Sequence, residues 1–229
     1  MSSKTYYFVG IGGIGMSAIA RYLKNNGHNI YGYDRTRTQL TAELEKEGMN
    51  ITYEENINHL PEVIDLAIYT PAIPAENKIL KEIIKRGIQL NKRAFALAEI
   101  VKEKKVIAIA GTHGKTTTSG LLAHLLYNSK IGCSAFLGGI ANNYSTNMLC
   151  DTKSEYVVVE ADEYDRSFLN LNPFVSAITS ISPDHLDIYQ NKENLEQAFA
   201  QFANQTDKNG HVFLKKEVKV EIDEQIKTN

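Results

Sequence analysis

Short apolar runs and amphipathic stretches alternate along the chain, separated by glycines or polar clusters. Tyr6–Val9, Asn29–Tyr33 and Asp65–Thr70 read as strands, being short, apolar and rich in aromatic or β-branched residues. Met16–Asn26, Gln39–Glu47 and Asn77–Arg86 carry apolar residues at helical spacing, and Gly27, Gly48 and Gly87 end them. Ile88–Leu90 adds a short strand and Arg93–Lys104 a helix. The second half continues the alternation with a strand over Val106–Ala110 and a helix over 115–128. Strands Gly132–Leu137, Tyr156–Val159 and Val175–Ile181 follow, then helix Glu193–Ala203 and strand His211–Leu214. Residues 141–155 are polar and turn-rich and read as a loop. Residues 215–229 are charge-rich and end without a capping signal.

Strand–helix alternation predicts an α/β chain whose sheets are parallel and whose helices are crossovers. The boundary falls near residue 102. Residues 1–102 are expected to form a Rossmann-like parallel-sheet domain, and 103–229 a P-loop-type α/β ATPase domain. Ligands of such sheets sit beyond the strand C-termini, so the polar clusters at those ends are the candidate chemistry.

The first such cluster is Gly10-Ile11-Gly12-Gly13-Ile14-Gly15, which matches G-x-G-x-x-G at positions 10, 12 and 15. Asp34 closes the next strand, about 20 residues on, where a ribose-binding carboxylate belongs. Glycines let the backbone approach a pyrophosphate, and a helix N-terminus stabilises its charge. That chemistry specifies a nucleotide diphosphate, not a particular dinucleotide. The plainer alternative is a glycine turn needed only for strand–helix packing.

The second cluster is Gly111-Thr112-His113-Gly114-Lys115-Thr116-Thr117-Thr118, between a strand and a helix. Here amides face phosphates, a lysine neutralises charge and a hydroxyl reaches Mg²⁺. The third, Glu160-Ala161-Asp162-Glu163-Tyr164-Asp165, sets four carboxylates at a strand end. Mg²⁺ beside a phosphate loop is the usual reason for such a cluster, and a solvated acidic turn is the alternative. Glu160 directly follows three valines and is expected to point into the loop region, more so than Asp165. The fourth, Ser182-Pro183-Asp184-His185-Leu186-Asp187, ends the strand at 175–181 and brings His185 to the same sheet edge.

Composition narrows the field little: 43% of residues are hydrophobic and 23% charged, as in ordinary globular proteins. The net charge of −2 recommends neither a nucleic acid nor an anionic membrane as partner. No apolar run reaches bilayer-spanning length. The N-terminus lacks the apolar core of a secretory signal, and the two cysteines, Cys133 and Cys150, lack metal-type spacing. Two buried thiols in a reducing, cytoplasmic setting are expected.

Taken together, GIGGIGMSAIA at 10–20, AGTHGKTTT at 110–118, EADEYDRSF at 160–168 and DHLD at 184–187 resemble the motifs of the Mur ligases. These are the ATP-dependent amide-forming enzymes of peptidoglycan synthesis. The loop differs from G-x-x-x-x-G-K-[ST] because only Thr112 and His113 separate its two glycines. Within the family the motifs look most like those of the alanine-adding branch.

The resemblance implies that the first domain holds the UDP of UDP-N-acetylmuramate, not a dinucleotide. Gly10, Gly12, Gly13, Ile14, Gly15, Asp34 and the loop Thr70, Pro71, Ala72 and Ile73 would line that site. It implies ATP at Gly111, Thr112, His113, Gly114, Lys115, Thr116 and Thr117, with Lys115, Glu160 and His185 catalytic. One Mg²⁺ would be held by Thr116 and Glu160, and a second by His185, again with Glu160. The substrates would be small molecules, UDP-N-acetylmuramate and L-alanine, with neither nucleic acid nor membrane involved. Several family members carry a modified lysine in the helix after DH-x-D, but residues 193–207 contain no lysine. The family also has a longer central domain and a third domain that closes over ATP. On that pattern residues 1–102 are expected to bind the UDP-sugar, with little ligation by these 229 residues alone. Besides a non-catalytic chain that only binds nucleotide or nucleotide-sugar, two readings compete. One is a murein-peptide recycling ligase of the same family. The other is an NAD-dependent oxidoreductase built on Gly10–Gly15, which leaves residues 111–118, 160 and 185 unexplained.

Overall fold

The first sheet is built on apolar central strands flanked by short, more polar edge strands. The computed structural model describes residues 3–182 and 186–228. In chain order the first elements are β1 (Thr5–Val9), α1 (Ile14–Asn25), β2 (Asn29–Tyr33), α2 (Gln39–Lys46) and β3 (Asn50–Thr52). They continue with β4 (Leu66–Tyr69), α3 (Lys78–Lys85), β5 (Leu90–Lys92) and α4 (Arg93–Val101). The strands pair in the order β3-β2-β1-β4-β5, all parallel. Tyr7, Val9, Ala67, Ile79 and Ile83 form the core that joins the sheet to α3. Caps fix the helix starts: Thr38 and Thr41 form a capping box on α2, and Asn77 accepts the Leu80 amide at the head of α3. The apolar pattern does not mark β3, and β5 lies two residues beyond the expected Ile88–Leu90, with Lys92 registered on Tyr69.

The second half comprises β6 (Lys105–Ala110), α5 (Lys115–Tyr127), β7 (Ser134–Ala141), β8 (Thr146–Leu149) and β9 (Tyr156–Glu160). β10 (Val175–Ile178), α6 (Leu186–Tyr189), α7 (Lys192–Asn204) and β11 (His211–Leu214) complete it. The order is β11-β10-β6-β9-β7-β8, parallel except for the antiparallel β7–β8 pair. Ala123, Cys133, Ala135, Leu137, Leu149 and Val158 pack the α5 side of this sheet. β8 corrects the expectation that 141–155 is a loop. β7 runs through Gly138 and Gly139 to Ala141, and the hairpin returns as β8 with Met148 and Leu149 buried.

The chain divides between Ala96 and Leu97 into two compact units. The division lies inside α4, ahead of residue 102, because the second half of that helix, from Leu97, clusters with the second unit. No helix among the described residues is long and apolar enough to cross a membrane.

Candidate functional site

In the first unit, strand order reverses at β1, which lies between β2 and β4. Loops after those three strands therefore meet at one edge. Gly10 adopts φ +90, and a Cβ there would lie 2.7 Å from Thr70 Cγ2. Its amide and that of Ile11 donate to Tyr33 O at 2.8 and 3.1 Å, and the Gly12 amide donates to Asp34 Oδ2 at 2.8 Å. Asp34 thus braces the glycine turn from below while lining the cavity above it. That cavity measures about 570 Å³, and Gly10, Gly13, Asp34, Thr70, Ala72 and Ile73 all line it. Gly12, Ile14, Gly15 and Pro71 do not line it. The amides of Gly10 to Gly13 are all bonded inside the protein.

Arg93 is the residue that motif reading missed. It opens α4 and sets its guanidinium against the glycine turn, where a Cβ on Gly15 would lie 2.3 Å from Nη1. Nothing in a glycine motif signals a cation that arrives from the end of the same sheet.

In the second unit, β6 delivers the loop 111–114 to the N-terminus of α5. Gly111 sits at φ +133, where a Cβ would lie 2.2 Å from Thr179 Oγ1, and Gly114 caps α5 at φ +84. The loop is tied to the segment that leaves β10. Thr112 N donates to Ser180 O at 3.0 Å, and His113 N to Ser180 Oγ at 2.8 Å. Thr179 Oγ1 donates to Ala110 O at 3.0 Å and lies 2.5 Å from His113 O. Ser182 N donates to Thr112 Oγ1 at 3.0 Å. These bonds end β10 at Ile178, short of the expected Ile181, because residues 179–182 serve the loop in place of the sheet.

Lys115 Nζ lies 2.6 Å from Gly111 O, and 2.8 and 3.0 Å from the two carboxylate oxygens of Glu163. Glu160, at the end of β9, accepts Thr116 Oγ1 at 2.9 Å on one oxygen and Gly138 N at 2.8 Å on the other. Ser119 Oγ stands 3.4 Å from the second oxygen. Glu160 therefore points into the loop region. The carboxylate that meets the lysine is Glu163, fully buried, which the sequence alone did not single out. Two cavities flank the loop. One of about 430 Å³ is lined by Thr116, Thr117, His124, Asn142 and Tyr144. The other, of about 650 Å³, is lined by His113, Gly114, Thr118, Ser180 and Lys215.

His185, expected to complete the metal set, lies outside the described residues. Among the described residues no three His, Cys, Asp or Glu side chains gather as a metal site, and Thr116 and Glu160 stand as a pair. Mg²⁺ takes octahedral oxygen donors at about 2.0–2.1 Å. Thr116 and Glu160 bring two oxygen donors of the kind Mg²⁺ takes within one hydrogen bond of each other, at 2.9 Å. Cys133 is buried and Cys150 only half-buried, and neither joins a disulfide.

The description "Mur ligase family, catalytic domain" matches residues 5–105, and "Mur ligase middle domain" matches residues 109–228. The UDP-N-acetylmuramate–L-alanine ligase of Porphyromonas gingivalis is 48% identical over 217 residues, 93% of this chain and 48% of that protein. The ligase of the same name from Christiangramia forsetii is 46% identical over 218 residues, again 93% of this chain and 48% of that protein. Among solved structures, the UDP-N-acetylmuramate-alanine ligase of Thermotoga maritima superposes with a TM-score of 0.85 at 32% identity. That match covers 93% of this chain and 49% of the other. The chain spans about half the length of the curated relatives it matches.

Proposed function

The chain belongs to the Mur ligase family, and on that premise we propose that it serves the ATP-dependent joining of L-alanine to UDP-N-acetylmuramate in peptidoglycan synthesis. The observation that carries this reading is the loop Gly111–Thr116 with Lys115 at its head and Glu160 bonded to Thr116, in a chain 48% identical to a ligase of that name. The first unit takes the UDP-sugar. Its diphosphate would lie over the first turn of α1, with Arg93 supplying positive charge and Asp34 and Thr70 facing the nucleoside. The second unit takes ATP on Gly111, Thr112, His113, Gly114, Lys115, Thr116 and Thr117.

In the reaction the muramate carboxylate attacks the γ-phosphorus of ATP, and ADP leaves. The alanine amine then attacks the acyl phosphate, and phosphate departs from a tetrahedral intermediate. Phosphoryl transfer depends mainly on positioning and charge neutralisation. Lys115 would meet the β- and γ-phosphate oxygens as charge shifts to the leaving ADP. Thr116 and Glu160 would hold one Mg²⁺, and His185 with Glu160 a second; bound there, the ions would neutralise phosphate and carboxylate charge. Removing Lys115 should cost roughly 3–4 kcal/mol of transition-state stabilisation. A reaction fed by ATP and a nucleotide-linked sugar belongs in the cytoplasm.

Relatives at 48% and 46% identity disfavour the recycling ligase and the oxidoreductase. Titration with UDP-N-acetylmuramate and with NADH tests the first unit; binding of NADH alone would refute the assignment. ADP release from the intact protein tests the amine, with dependence on L-alanine expected. Dependence on a murein tripeptide in its place would assign the recycling reaction.

A further inference from the structure

The phosphate-loop lysine is engaged within the protein. Two of its acceptors are the oxygens of Glu163 and the third is Gly111 O. The Glu163 side chain is 1% exposed and that of Lys115 is 15% exposed. An ammonium has three donors and no acceptor, so this set saturates it. Glu163 is itself anchored through its main chain. Its carbonyl accepts Tyr189 OH at 2.5 Å and Arg166 N at 3.0 Å. Tyr189 is fully buried in α6, and the Arg166 guanidinium stacks over its ring at 5.5 Å. Asp165 and Arg166 hold left-handed backbone at φ 52 and 53, which turns the chain back just after Glu163. Non-glycine residues adopt that region only when their surroundings impose it. A chain of contacts therefore runs from α6 through Glu163 to Lys115.

We propose that Glu163 is a positioning residue that stores the Lys115 ammonium at the mouth of the glycine loop and gives it up in part to the nucleotide phosphates. This rests on the reading of 111–116 as the ATP loop. A buried carboxylate without a partner is costly, so the lysine does not swing free. It stays tethered and turns one donor toward the arriving phosphate. Glu163 then has two opposing effects. It orders the lysine for transfer, and its own negative charge opposes the triphosphate. A carboxylate serving structure alone would show no such opposition; its loss would weaken folding and nucleotide binding together.

The test uses this chain with lysine ¹⁵Nζ labelling and calorimetric titration of ATP with Mg²⁺. In the unliganded wild type, Lys115 is expected to give a slowly exchanging ammonium resonance, assigned by its absence in Lys115→Ala. In Glu163→Gln that resonance should be lost while ATP binds about threefold to tenfold more tightly, the effect of one unit charge across a partly solvated gap. A resonance that persists in Glu163→Gln, or ATP affinity that falls with the melting temperature, would overturn the proposal. If Glu163→Gln does not fold, Tyr189→Phe decides. It removes only the hydroxyl on Glu163 O, so faster exchange at Lys115 supports the tether and unchanged exchange refutes it. Should ATP bind wild type and Lys115→Ala equally, the ATP-loop reading fails, whereas the resonance in the unliganded chain still tests the tether.

Discussion

Gly138→Ala probes the placement of Glu160 without removing a charged group. Gly138 lies in β7, where an added Cβ would stand 2.3 Å from Glu160 Oε1, 2.4 Å from Cδ and 2.6 Å from Oε2. Non-bonded heavy atoms settle near 3.5 Å, so the carboxylate must withdraw by about 1 Å. Withdrawal breaks the 2.8 Å bond from Gly138 N and stretches the 2.9 Å bond from Thr116 Oγ1. Hydrogen bonds to a charged group contribute about 1.5–3 kcal/mol each, but water reaches the half-buried Glu160 and restores much of that. The net loss of stability should be about 1 kcal/mol, or roughly 2–4 °C in Tm for a chain of this size. The effect on metal is larger. Moving an outer-shell partner of a ligand lowers metal affinity about 10–100-fold. Calorimetric titration of ATP with and without Mg²⁺ reads it directly: the variant should lose the Mg²⁺-dependent part of nucleotide affinity while keeping its fold. Mg²⁺-dependent affinity within about twofold of wild type would refute the role given to the Glu160–Thr116 pair.

Gly111→Ala combines a φ of +133 with a Cβ 2.2 Å from Thr179 Oγ1, so it should destabilise by about 1–3 kcal/mol and abolish ATP binding, read by melting and titration. Arg93→Ala should weaken UDP binding about tenfold while leaving uridine binding unchanged, because the guanidinium is assigned to the diphosphate. Burial, with a smaller push from Asp151, raises the Cys133 thiol from 9.0 to about 11. The folded state therefore holds that proton more tightly than the unfolded chain. Its contribution is fully present below pH 9 and is lost as pH rises toward 11. Urea melts across that window should show the decline, Cys133→Ala should flatten it, and thiol reagents should modify Cys150 first.

The central strands β1, β4, β6 and β9 and the glycine loops were legible because buried parallel strands are mostly apolar and the loops after them carry glycine and polar groups. β8 was not, since the hairpin 141–149 pairs through its backbone and keeps Asn142, Asn143, Ser145 and Thr146 in its sequence. Antiparallel edges do not require the continuous apolar run that marks the central strands. The end of β10 was overextended for the opposite reason: Thr179 and Ile181 suit a strand, but Thr179 and Ser180 are bonded to the phosphate loop. Among the four carboxylates of 160–165, Glu160 could be picked out by its place after three valines. Glu163 could not, because it lies at the start of an irregular turn, with left-handed backbone at Asp165 and Arg166, and no periodic pattern says which carboxylate faces inward. Arg93 was hidden for a related reason, as a cation brought to Gly15 by sheet topology from far along the chain.

On the proposed function, Lys115 and its loop bind the terminal phosphates of a nucleoside triphosphate. Titration of the chain with ATP, ADP and AMP in the presence of Mg²⁺ decides the matter. Affinity should rise with each added phosphate and lose that order in Lys115→Ala. AMP bound as tightly as ATP, or an order that survives in Lys115→Ala, would overturn the ATP assignment.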